Sequence, residues 1–199
     1  MNKKIVLKSN SIKTVIVIKK NFLLDYFKKL VRTEKKIFCV VDNKLKKIVK
    51  PFIANKKINF IFVNGGEKIK NIKSYNDLCD KLLLKKVDRN SILIGLGGGT
   101  IGDLTGFVAS TILRGIEFKL IPSTLLAQVD SSIGGKNGIN SFYGKNLIGT
   151  FYHPDEVIID VDLLNNLPKR QIKSGYAEIV KHALINDINF FEWLEKNYQ

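Results

Sequence analysis

Residues 91–107, SILIGLGGGTIGDLTGF, run from a solid apolar block through three consecutive glycines into a segment of mixed polarity. The block before the glycines has the length and branching of a buried strand, and TIGDLTGFVASTIL after them has the pattern of a helix. Strand, glycine turn and helix in that order open a βαβ unit. At such a turn the backbone N–H groups of Gly99, Thr100, Ile101, Gly102 and Asp103 can cradle a pyrophosphate at the helix N-terminus. The six residues GGGTIG also satisfy G-x-G-x-x-G. They lie far from the first strand, however, and no acidic residue follows at about twenty positions to take a ribose. From these residues alone, a turn that only packs helix tightly on strand reads equally well.

The same alternation extends in both directions. TVIVI precedes the amphipathic NFLLDYFKKLVRTEKK; KIFCVVD precedes NKLKKIVKPFIANKK, where Pro51 should bend or divide any helix; INFIFVN precedes NIKSYNDLCDKLLLKKV. EFKLIPS and EVIIDVD follow the glycine turn. Short β-branched runs separated by helices predict an α/β domain with a parallel sheet covered on both faces. From Pro168 the pattern becomes helix upon helix, PKRQIKSGYAEIVKHALI and then NDINFFEWLEKNYQ. We expect residues 1–160 to form the α/β domain and 161–199 to open a helical domain. The final helix carries Phe191 and Trp193 with no stop signal, so the ending reads as cut rather than finished.

Charge and cysteines narrow the classes. The chain of 199 residues carries 33 Lys and Arg against 18 Asp and Glu, a net +15. Only Arg32, Arg89, Arg114 and Arg170 are arginines; the rest are lysines scattered beside Asn and Ile. Base and phosphate readers favour arginine for its bidentate fork, so the charge reads as compositional and no nucleic-acid partner is expected. No apolar run is long enough to span a bilayer, and the first residues lack the apolar core of a signal peptide, which makes the cytoplasm the expected location. Cys39 and Cys79 have no metal-ligand spacing and read as two buried free thiols.

Several segments invite chemistry. Asp42 ends the strand IFCVVD, where it could take ribose hydroxyls or cap the next helix. NGGEKIK (64–70) puts Gly65, Gly66 and Glu67 at another strand end. DSSIGGKNGINSFYGKNLIGTF (130–151) has few large side chains to bury, and its composition suits backbone passing close to a ligand. Lys136 and Lys145 suit an anionic one. Glu178 and Lys181, three apart, share a helix face as an ion pair. His153 and His182 show no H-x-x-x-H or H-E-x-x-H spacing, so spacing builds no metal site. No G-x-S-x-G elbow and no P-loop pattern occur.

Taken together, GGGTIGDLTGF, LRGIEFKLIPSTLLAQVDSSIGGKNGIN, GKNLIGTFYHP and LPKRQIKSGYAEIVKHALI closely resemble the 3-dehydroquinate synthase family, from about residue 62 to 195. DSSIGGK with the following GKN is the most specific part; glycerol dehydrogenases and iron-type alcohol dehydrogenases share a GGG turn but not this segment. Related sugar-phosphate cyclases that make scyllo-inosose or valiolone resemble it more nearly, and usually differ around SSIGGK. The resemblance implies a Rossmann-like parallel-sheet domain that binds NAD, followed by the start of an all-helical domain. It implies the conversion of 3-deoxy-arabino-heptulosonate 7-phosphate to 3-dehydroquinate and phosphate in the shikimate route to aromatic amino acids. There NAD is used catalytically, oxidising the C5 hydroxyl before phosphate leaves and being restored afterwards, and a divalent metal, zinc or cobalt, polarises the reacting hydroxyls.

Carried over by position, Asp42, Gly65, Gly66, Glu67, Lys68, Ile69, Lys70, Gly99 to Asp103, Ser123, Thr124, Lys145, Leu163, Leu164, Asn165 and Asn166 match NAD contacts. Asp130, Lys136, Asn146 and Lys181 match the substrate pocket, with Lys136 and Asn146 on the phosphate and Lys136 matching a cofactor contact as well. Arg114 matches an arginine that reaches the neighbouring subunit's phosphate, which implies a homodimer. Glu178 matches a glutamate metal ligand, against the ion-pair reading. The family's other two metal ligands are histidines of the helical domain, and neither His153 nor His182 falls at their positions. The 199 residues alone are therefore expected to be inactive. The alternatives are a non-catalytic NAD-binding fragment or a related sugar-phosphate cyclase.

Overall fold

The computed structural model describes residues 2–9 and 12–197. In chain order the elements are β1 (Asn2–Ser9), β2 (Ile12–Lys19), α1 (Leu23–Leu30), β3 (Ile37–Asp42), α2 (Lys46–Ile53), β4 (Ile58–Val63), α3 (Ile72–Leu84), β5 (Ile92–Gly97), α4 (Gly99–Thr111), β6 (Glu117–Pro122), β7 (Lys136–Ser141), β8 (Gly144–Phe151), β9 (Glu156–Asp160), α5 (Lys169–Asn186) and α6 (Ile188–Asn197). Seven strands form one sheet in the order β1-β2-β9-β6-β5-β3-β4, parallel throughout except for the antiparallel β1. Strands β7 and β8 form a separate antiparallel hairpin.

Strand β3 explains why both faces are covered. Successive side chains point to opposite faces, and every residue from Ile37 to Val41 is buried. Ile37, Cys39 and Val41 pack with Leu23 and Phe27 of α1 and Val49 and Phe52 of α2. Phe38 and Val40 pack on the other side with Leu78 and Leu82 of α3 and Leu104 and Val108 of α4. Glycine sets the closeness of that second layer: a Cβ at Gly95 of β5 would lie 3.2 Å from Thr105 Cβ and from a Leu120 methyl. Cys39 is fully buried, and burial alone pushes its thiol well above the usual range. Cys79 is only half-buried.

Three readings need correction. Pro51 does not divide its helix; it sits inside α2, which ends two residues later at Ile53. Residues 2–9, for which no strand was expected, form an edge strand. The stretch 130–151, read only as backbone passing close to a ligand, is regular: it starts within a π-helical turn at Ala127–Ser131 and continues as the β7–β8 hairpin.

An ion cluster closes the sheet at the end remote from the glycine turn. Glu117 accepts from Lys35 Nζ at 2.5 Å and lies 3.3 Å from Lys119 Nζ, which also reaches Glu156 at 3.2 Å. Burial would raise the Glu117 pKa, but the hydrogen bonds and charges of the two lysines outweigh it and hold the carboxyl below the usual range. Because the folded-state pKa is the lower one, the stability contributed is present above the unfolded value of about 4.3 and is lost as pH falls through the folded value. Glu117→Gln should thus cost about 0.5–1 kcal/mol near pH 6. Urea midpoints of the two proteins should converge below about pH 4; a gap of constant size would refute the assignment.

Candidate functional site

From β3 the chain moves outward to β4, then crosses back over β3 to β5. This reversal opens a crevice beyond the carboxyl ends of β3 and β5, the usual place for a ligand in such sheets. Asp42 and the Gly97–Gly99 turn flank it. Gly98 caps α4 with no side-chain hydrogen bond; the Ile101 and Gly102 N–H groups, expected among the anion donors, turn back on Gly98 O at 3.0 and 3.2 Å, which leaves those of Gly99 and Thr100 at the helix start for an anion. Gly66 N–H donates to Thr100 Oγ1 at 3.1 Å, drawing the 64–70 turn to the same edge. Asp42 does act as a cap, accepting from Lys44 N–H at 3.0 Å through Oδ1. Its Oδ2 lies over Gly65, where a Cβ would come within 2.2 Å. Ser123 is buried, with its N–H on Gly97 O at 2.9 Å, and Thr124 Cγ2 lies 3.1 Å from where a Gly98 Cβ would stand.

A buried lysine fixes the hairpin to this edge. Lys70 is 4% exposed, donates to Asp103 Oδ2 at 2.6 Å and reaches Asn146 Oδ1 as well. Burial raises the Asp103 pKa against the lowering effect of Lys70. Asn140 Nδ2 donates to Glu67 Oε1 at 2.8 Å, and Lys145 Nζ stands 4.0 Å from the same carboxylate. On its other side the hairpin seats on α4 at Gly106, where a Cβ would fall 1.9 Å from Asn137 Oδ1. Asn137 is committed there, donating to Gly135 O and Tyr152 O at 2.8 Å each. The result is a cavity of about 450 Å³ lined by Asp103, Asp130, Lys136 and Asn146 among others.

Helix α5 approaches from outside. Gly175 permits it, since a Cβ there would lie 2.5 Å from Leu126 N. Glu178 does pair with Lys181, whose pKa the Glu178 hydrogen bond raises. Ligand atoms of Asp130, Glu178 and His182 all lie within 4.8 Å of one another, a grouping that histidine spacing did not bring out. The signal was available in part, because Glu178 and His182 are four apart and share a helix face. Two oxygens and one nitrogen suit a borderline divalent metal. His153 is elsewhere, its ring 2.8 Å from where a Gly135 Cβ would stand.

Other residues stay outside the cavity. Leu163 to Asn166 follow β9 at the same sheet edge, with Leu163 packed on the core. Arg114 is exposed at the far end of α4, about 18 Å along a 13-residue helix from Gly99. Ser131 was not foreseen: its Oγ is buried, makes no hydrogen bond among the described residues, and lies 2.8 Å from a Cβ position at Gly99.

The fold and this edge define a Rossmann-like α/β unit with a glycine-rich hairpin packed on α4 beside that edge. The profile of the family described as 3-dehydroquinate synthase N-terminal matches residues 60–174, and the chain belongs to that family. The 3-dehydroquinate synthase of Pelagibacter ubique is 55% identical over 140 residues, 70% of this chain and 38% of the relative. The solved 2-epi-5-epi-valiolone synthase of Streptomyces hygroscopicus, with NAD+ and Zn2+ bound, aligns at a TM-score of 0.83 and 26% identity. That alignment covers 96% of this chain and 54% of that one. A 2-deoxy-scyllo-inosose synthase complexed with carbaglucose-6-phosphate, NAD+ and Co2+ aligns at 0.80 and 26%, over 92% and 51%. The chain thus spans well under two thirds of the relatives it matches. No described helix is long and apolar enough to cross a membrane.

Proposed function

We propose that this chain is the dinucleotide-binding part of a 3-dehydroquinate synthase, converting 3-deoxy-arabino-heptulosonate 7-phosphate to 3-dehydroquinate and phosphate. The observation that carries the reading is the crevice between β3 and β5, with Asp42 on one side and the uncapped α4 turn on the other. The pyrophosphate of NAD lies on the N–H groups of Gly99 and Thr100 at the start of α4, and Asp42 takes a ribose through the oxygen that its cap does not use. Ser123, Thr124 and the 65–70 turn complete the nucleotide edge, with Leu163 to Asn166 beyond β9. Two related cyclases hold NAD+ with Zn2+ or Co2+, which supports the same pair of groups here.

The reactive end falls in the cavity. Lys136 and Asn146 hold the substrate phosphate, the lysine as a point charge and the amide as a directional donor. Asp130 and Lys181 flank the sugar hydroxyls, where a carboxylate can accept a proton and an ammonium can steady an oxyanion. Glu178 would hold the divalent metal, with Asp130 and His182 in reach. When bound, NAD supplies a hydride acceptor and the metal supplies a Lewis acid. Residues 1–160 form the nucleotide domain and 161–199 the start of the domain that meets the substrate. Arg114, exposed and remote from its own cavity, serves a second copy in a cytoplasmic homodimer.

Calorimetric titration of NAD+ tests the nucleotide half, and phosphate release with NAD+, cobalt and the heptulosonate phosphate tests the rest. Lys136→Ala should weaken binding of the sugar phosphate by about 1.5–3 kcal/mol, the worth of a charge-assisted hydrogen bond. NAD+ affinity should barely change. A variant with normal sugar-phosphate binding and weakened NAD+ binding would reassign Lys136 to the cofactor.

A further inference from the structure

The β7–β8 ladder breaks at one place. Ile139 pairs with Ile148 and Ser141 with Gly144, so a single residue of β7, Asn140, faces Lys145, Asn146 and Leu147 of β8. A bulge of this kind re-aims side chains that a regular ladder would send to alternate faces. The N–H of Asn140 leaves the ladder and donates to Lys70 O at 2.8 Å. Its side-chain amide is used at both ends: Nδ2 donates to Glu67 Oε1 at 2.8 Å, and Oδ1 accepts from Asn146 N–H at 3.0 Å. Asn140 thus ties Asn146 to the 64–70 turn.

Asn146 is exposed and has a φ of +58°, a left-handed conformation that asparagine adopts more readily than most residues. At an ordinary surface turn its amide would rotate freely. Here the buried Lys70 takes its Oδ1. An ammonium only donates, so the amide oxygen must face the lysine, and the two N–H bonds of Nδ2 remain for the cavity that Asn146 lines. Asn140 holds the backbone of Asn146 and Lys70 holds its side chain. Both holds run back to the same turn.

We infer that Asn140 is a positioning residue for anion binding in this cavity. By accepting the Asn146 N–H while donating to Glu67, it fixes the backbone from which the Asn146 amide meets a phosphate. The placing of a phosphate at Asn146 rests on the function proposed above; the latch itself does not. Asn140 does not line the cavity, so its effect has to pass through Asn146. The bond to Glu67 is the part of the latch that can be reversed. An amide and a carboxylate can exchange places there, with donor and acceptor swapped and the total charge unchanged.

The test titrates the 199-residue chain, without NAD+, with inorganic phosphate and with the heptulosonate phosphate, followed by calorimetry. Hydrogen exchange of the Asn146 amide, read by NMR, reports the latch directly. Asn140→Ala should speed that exchange and weaken both anions by about tenfold, near the lower end of what a hydrogen bond to a charged group is worth. Asn140→Asp should also weaken them, because it sets a second carboxylate against Glu67. Adding Glu67→Gln to Asn140→Asp restores the hydrogen bond in reverse and should recover most of the lost affinity. A merely structural role predicts additive losses in that double variant. Circular dichroism checks each fold, and the double variant decides the matter if Asn140→Ala does not fold. Unchanged phosphate affinity in Asn140→Ala, or additive losses in the double variant, overturns the proposal. Inorganic phosphate held through Asn140 by a chain that ignores the heptulosonate phosphate would uphold the latch while sinking the proposed substrate. The sugar phosphate bound equally well with and without Asn140 would do the reverse.

Discussion

Gly99→Val is expected to abolish measurable NAD+ binding while the domain stays folded. Gly99 begins α4 directly after the turn, and its backbone must come close to the phosphates. A valine Cβ there would lie 2.8 Å from Ser131 Oγ, a small hydroxyl that can rotate aside, so the protein can accommodate the change. The ligand cannot, because the added methyls occupy its approach. Losing two charge-assisted N–H contacts at about 1.5–3 kcal/mol each amounts to about 100-fold or more in affinity. Calorimetry on the variant, with circular dichroism to confirm its fold, checks this. Wild-type affinity would move the dinucleotide away from this turn.

Phe118→Ala should have the largest effect on stability, about 3–5 kcal/mol. Phe118 is fully buried in the layer beneath α4, with its ring 6.5 Å from that of Tyr152. One ring carbon stands 2.9 Å from where a Gly106 Cβ would be, at the point where Asn137 seats the hairpin. The cavity left behind would loosen both the sheet layer and the hairpin above it. Domains of this size are stable by about 5–15 kcal/mol, so a large part would go. Urea unfolding gives the difference directly; a loss under about 1 kcal/mol would mean that the surrounding side chains collapse into the gap.

The parts of the fold that could be read from sequence are those whose cause is local. The block at Ile92–Gly97 is apolar because both its faces are covered, and the glycines after it stand where helix meets strand. The hairpin was hidden because its strands lack the usual alternation. All of β8 lies at or near the surface, and Gly138 and Gly149 are there for close backbone crossing: a Cβ on Gly149 would fall 2.1 Å from Asn137 O. Such glycines look like loop residues in a sequence. Strand β1 was masked by its lysines, which an edge strand tolerates on both faces. In the site, Asp42 and Gly99 were legible as strand ends. The trio of Asp130, Glu178 and His182 was not, because the carboxylate of Asp130 reaches the other two only through a contact permitted by Gly175.

The position of β9 between β2 and β6 has a bearing on how the chain comes off the ribosome. Residue Val15 pairs with Glu156, and Lys19 with Asp160, so β2 has no parallel neighbour until the whole middle of the sequence has been made. Translation at about 5–20 residues per second leaves the β1–β2 ribbon waiting on the order of ten seconds. Ile16, buried in the finished core, gains its β9 neighbours only after that interval. The lysines along β1 set like charges on that edge, which disfavour its zipping onto the same edge of a second copy both during that interval and after it.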